Sequence, residues 1–152
     1  MNRWMKIAYD EAVEGMLSNS GGPFGAVIVL DNEIIATAHN RVLETKDPTA
    51  HAEVNAIREA SKKLDSFDLS ECTLYTTCKP CPMCLGAIFW ARIKTVYYGA
   101  DESDAQRAGF DDKLFYDMLE GKQDSLALIQ IDRRTNLQLF EQWLSKDDRK
   151  LY

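Results

Sequence analysis

Two short motifs, His51-Ala52-Glu53 and Pro80-Cys81-Pro82-Met83-Cys84, put one imidazole and two thiols thirty positions apart along the chain. If these three donors serve one ion, the fold must bring the start of one segment against the start of another. Zinc is tetrahedral, so three protein ligands leave one vertex open to water, the arrangement of a catalytic centre; structural sites fill all four. Cys81 and Cys84 stand three apart at an expected helix start, where i,i+3 neighbours converge. Cys78 lies upstream in the strand-to-helix turn and is assigned a place beside the ligands rather than among them. Glu53 shares no helix face with His51, so both reach the metal only if it sits over the helix end. A carboxylate there can take a proton from water and hand it on, the general acid/base role assigned to Glu53.

Other readings compete. A lone Cys-x-x-Cys serves as a redox pair or a structural zinc knuckle, and a lone His-x-Glu arises by chance. An iron–sulfur reading of Cys78, Cys81 and Cys84 fails because the ferredoxin run needs a further cysteine where Ile88 stands.

A length of 152 residues with 45% apolar content supports one domain, residues 1–152. No apolar run approaches the roughly 18 residues of a membrane span, and the start carries no secretory pattern, so a cytoplasmic protein is expected. Clustered cysteines in a reducing compartment point to metal before disulfides. With 18 basic against 24 acidic residues, the charge of −6 disfavours a polyanionic partner.

Helical spacing of Met5, Ala8, Ala12 and Met16 predicts an opening helix that ends before Gly21. Gly25–Leu30 and residues 33–38, joined by Asp31-Asn32, read as a β-hairpin. Asp47-Pro48 reads as the cap and first residue of a helix over 47–63. A strand over 73–77, a helix over 81–92, a strand over 95–100, a helix over 112–119, a strand over 126–131 and a helical stretch over 137–144 complete the pattern. Alternating strands and helices predict an α/β sandwich.

The motifs, in this order and with proline before the first ligand cysteine, match the pattern of zinc-dependent deaminases. With Gly21-Gly22-Pro23-Phe24-Gly25, Asn40, Asp47-Pro48-Thr49-Ala50-His51 and Cys84-Leu85-Gly86-Ala87-Ile88, the chain resembles the cytidine-deaminase-like superfamily. The segment Ala108-Gly109-Phe110-Asp111-Asp112 and the terminal Tyr152 are similar to the bacterial guanine deaminases within it. That resemblance implies a three-layer α-β-α sandwich with a five-stranded mixed sheet, and one Zn2+ per subunit held by His51, Cys81 and Cys84. It implies a homodimer acting on a small-molecule purine base, with residues 145–152 crossing over to cap the neighbour's site.

Phe24 offers a flat face to a purine, and the Asn40 carboxamide can donate and accept at a base edge, unless Asn40 is simply a turn residue. Asp112 can accept a purine N–H, relay a proton, or cap a helix. Tyr152 would close the pocket, though a terminal residue is ordinarily untied. His39 is read as a surface or neighbouring histidine rather than a ligand, Cys72 as a small buried hydrophobe, and Trp90 as core or pocket lining. The expected reaction is guanine to xanthine and ammonia. Its rivals are an adenosine deaminase acting on tRNA, a deaminase of cytosine or an aminotriazine, and a non-catalytic zinc module.

Overall fold

The computed structural model describes residues 2–122 and 126–150. The chain runs α1 (Arg3–Leu17), β1 (Gly25–Leu30), β2 (Glu33–His39), α2 (Val42–Thr45), α3 (Ala52–Leu64), β3 (Thr73–Cys78), α4 (Pro82–Trp90), β4 (Thr95–Ala100), α5 (Glu102–Arg107), α6 (Asp112–Leu119) and α7 (Arg133–Ser145). No described helix is long and apolar enough to cross a membrane.

The hairpin forms as expected, because Asp31 and Asn32 both take positive φ (48° and 63°), which a two-residue turn between twisted strands requires. The sheet order is β2-β1-β3-β4, with β1 antiparallel to both neighbours and β3 parallel to β4. Central β1 is apolar on both faces because it is covered on both. Ala26 and Ile28 meet Ala52, Ala56 and Ala60 of α3 and Ile88 of α4. Val27 and Val29 meet Ala8 of α1. Helices therefore cover opposite faces of a mixed sheet.

Gly25 shows how closely α1 sits: a Cβ there would lie 2.0 Å from the Ala8 carbonyl oxygen and 2.7 Å from the Ala12 nitrogen. Backbone cannot yield as a side chain does, so Gly25→Ala is expected to destabilise the fold by about 2 kcal/mol in denaturant titration. A loss below about 0.5 kcal/mol would contradict this close seating.

The described sheet has four strands, not five. Residues 126–131 carry strand composition but form no ladder, because a strand exists only by pairing and no described strand meets them. Every described residue from Leu126 to Lys150 is exposed, Leu128 by 88% and Ile129 by 80%. On α7, Leu139, Phe140 and Leu144 are exposed as well, and β4 leaves Tyr97 and Tyr98 uncovered.

Candidate active site

The helix expected from Asp47 begins at Ala52 instead. Asp47 Oδ1 accepts from the Thr49 N–H at 2.8 Å and the Thr49 hydroxyl at 2.7 Å, so it caps a turn, the alternative use of the same side-chain chemistry. His51 is thereby the extended N-cap of α3, with Glu53 in the first turn. Cys81 is likewise the extended N-cap of α4, with Pro82 inside the first turn where its missing N–H is harmless. Both helices aim their partially positive ends at the same point, which favours anionic ligands.

His51 Nδ1 lies 3.7 Å from Cys81 Sγ and 3.5 Å from Cys84 Sγ. The three donor atoms fall within 4.8 Å of one another. Tetrahedral zinc with ordinary bond lengths sets nitrogen and sulfur about 3.5 Å apart and two sulfurs about 3.8 Å apart, so this donor set fits the ion. The hydrogen bond from Cys84 holds the Cys81 thiol far below its usual range, at about 4, with the His51 contact acting the same way. The same bond and burial push Cys84 up. The hydrogen bond to Cys81 raises His51. Cys78 lies outside the donor cluster: its Sγ donates to the Asp101 carbonyl at 3.6 Å, and burial pushes it up to about 11.

Glu53 is buried beside these donors. Its Oε1 accepts from the Thr76 hydroxyl at 3.1 Å, and its Oε2 faces Cys84 Sγ at 3.5 Å. Burial pushes this carboxyl above the usual range, which favours holding a proton. Thr76 therefore fixes one oxygen, while the other faces the donor cluster at Cys84.

A cavity of about 350 Å³ opens over the cluster, lined by His51, Glu53, Cys81, Phe24, Asn40 and Asp112 among others. Cys84 lies fully buried beneath. Phe24 meets Phe110 edge to face, centroids 4.8 Å apart, and both rings border the cavity. Asn40 Oδ1 accepts from the Val42 N–H at 3.1 Å, as a turn residue does, and the residue also lines the cavity. Asp112 is the first residue of α6 rather than its N-cap, which is Asp111, so the capping reading fails. Burial, and after it the Cys81 charge, raise the Asp112 carboxyl above its usual range. Tyr152 lies outside the described residues.

Other expectations resolve simply. His39 Nδ1 pairs with Glu11 Oε2 at 3.1 Å, against Gly15 of α1 and away from the donor cluster. Cys72 is buried among apolar neighbours. Trp90 is 64% exposed at the end of α4 and borders a different groove, with Phe67 and Ala87, so it is neither core nor cavity lining.

Sequence reasoning did not single out Thr76, or Asn55. The Asn55 Nδ2 group donates to the His39 carbonyl at 3.0 Å and the Ala50 carbonyl at 3.2 Å, clamping the backbone beside Asn40 to that beside His51. Nothing local in the sequence signals either bond.

The family model for the cytidine and deoxycytidylate deaminase zinc-binding region matches residues 1–100. The chain belongs to this deaminase family. All three donors and Glu53 fall within the matched region, which makes the protein a zinc-dependent deaminase and gives the cavity above the cluster its catalytic reading. Beyond the shared zinc region, this deaminase is 46% identical over 151 residues to guanine deaminase of Bacillus subtilis (strain 168), covering 98% of this chain and 97% of the relative. The crystal structure of Bacillus subtilis guanine deaminase superposes with a TM-score of 0.94 at 46% identity, covering 100% of this chain and 99% of that one. A tRNA-specific adenosine deaminase of Buchnera aphidicola subsp. Schizaphis graminum (strain Sg) is 40% identical over 119 residues, covering 78% of each chain.

Proposed function

We propose that the protein hydrolyses guanine to xanthine and ammonia, with one zinc ion per chain held by His51, Cys81 and Cys84. The observation that carries this reading is the likeness to a guanine deaminase from end to end, including the region after residue 100 that the zinc-binding model does not reach. Zinc so held would supply a Lewis acid with one coordination position free for water.

The chain's own groups do the rest. Glu53 Oε2 takes one proton from the attacking water and delivers it to the ring nitrogen, then takes the second from the added hydroxyl and delivers it to the departing amine, which leaves as ammonia, while Thr76 keeps Oε1 still. Phe24, braced by Phe110, presents aromatic surface to a planar base. The Asn40 amide N–H group and the Asp112 carboxylate supply a donor and an acceptor to the base edges. An ammonia-release assay over guanine, adenine, cytosine, ammeline and a tRNA anticodon stem tests the assignment. Guanine is expected to be fastest; turnover confined to adenosine in the tRNA stem would overturn it. The charge of −6 argues against the polyanion.

The working form in this reading is a homodimer in the cytoplasm, where thiolate ligands stay reduced. One domain spans residues 1–152, and residues 145–152 cap the neighbour's cavity. Three features support the exchange: the exposed apolar arm from Leu126 to Leu144, the uncovered β4, and an apolar groove beside the cavity lined by Pro82, Met83, Phe115 and Leu119. Deleting Lys150, Leu151 and Tyr152 is expected to cut guanine turnover at least about tenfold with little change in melting temperature. Unchanged turnover would remove Tyr152 from the site.

A further inference from the structure

We propose that Tyr116 is a positioning residue, whose hydroxyl ties α6 to the ligand-bearing loop and so holds Asp112 in the mouth of the cavity. The inference deepens the reading above and rests on its assignment of Asp112 to the base edge. Tyr116 stands one helical turn beyond Asp112. Its hydroxyl donates to the Pro80 carbonyl at 2.5 Å, across 36 residues of sequence. Pro80 is buried and directly precedes Cys81, so its carbonyl has little water to fall back on and its position is tied to a ligand.

The same loop holds this region a second way. Lys79 Nζ sits 5.0 Å from the centre of the Tyr116 ring and bonds Glu102 Oε2 of α5 at 3.1 Å. The approach to α6 is loose by comparison. Gly109 takes a left-handed φ of 94°, the Asp111 side chain makes no capping bond, and no residue of α6 is buried. The Lys113 to Asp117 ion pair stays within the helix and fixes nothing outside it. The bond between Tyr116 and Pro80 is thus the polar tie from α6 to the ligand-bearing loop, acting with the Phe24 to Phe110 contact on where Asp112 stands relative to Cys81 and His51.

Tyr116→Phe removes the hydroxyl and keeps the ring under Lys79. The KM for the base is expected to rise roughly tenfold, with kcat within about twofold and zinc still at one per chain. In an Asp112→Ala background, losing the hydroxyl should add less than about twofold, because the group it positions is already gone. Amide hydrogen exchange across α6 should quicken about tenfold while that of α3 stays as it was, a readout that needs no substrate. Kinetics are taken on whichever base the wild-type protein turns over, so a failure of guanine as substrate does not touch the comparison. Unchanged exchange in α6, a full tenfold KM effect persisting without Asp112, or a fall in kcat at constant KM would each overturn the proposal.

Discussion

Glu53→Gln is expected to lower turnover roughly 1,000-fold or more while the protein keeps its zinc and its fold. The amide matches the carboxylate in shape and can still accept from Thr76 through its oxygen, so the bond that orients the side chain survives. What it loses is the capacity to accept a proton at Oε2 and pass it on. Metal analysis and ammonia release on the same preparation separate the two effects. A variant that retains substantial turnover would remove Glu53 from the chemistry, and one that loses zinc would make it a support of the metal cluster instead.

Cys84→Ala is expected to act on the other half of the site, abolishing both zinc retention and turnover. Cys84 is fully buried against His51 and Glu53, and Cys78 is directed at the Asp101 carbonyl, so no second thiol is aimed at the vacated position. Losing the ion also removes the stabilisation that its binding lends to the native state, and the melting midpoint should fall by roughly 10 °C. Stoichiometric zinc in this variant would show that the cluster is held differently from the three-donor arrangement.

The parts of the fold that were legible in the sequence are those written locally. The hairpin needed only Asp31-Asn32 between two apolar runs, and the metal set needed only two motifs whose donors fall at helix starts. The start of α3 was misplaced because aspartate before proline caps a helix or closes a turn with the same oxygen, and Asp47 does the second. The short α2 and α5 give no sequence signal because four residues are too few to show a period and six largely polar ones show none. The expected fifth strand over residues 126–131 has the composition of a strand without a described partner to pair with, and composition cannot supply the partner.

The candidate site divides the same way. The three donors and Glu53 sit in motifs, and the aromatic and amide groups around the cavity came with the family resemblance. The residues that hold these groups in place act across the fold: Thr76 reaches Glu53 over 23 positions, Asn55 reaches His39 over 16, and Tyr116 reaches Pro80 over 36. Each is an ordinary residue in an ordinary element until folding sets its polar atom against a backbone or carboxylate oxygen.

If one ion, gripped by His51, Cys81 and Cys84 beside Glu53, drives the deamination of guanine, activity must follow the metal. The most direct measurement is ammonia release from guanine as zinc is returned stepwise to chelator-stripped protein. Activity is expected to be absent at first, to rise in proportion to bound zinc, and to level off at one ion per chain. Full activity in the stripped protein, or zinc bound at that stoichiometry with no ammonia released, would contradict it.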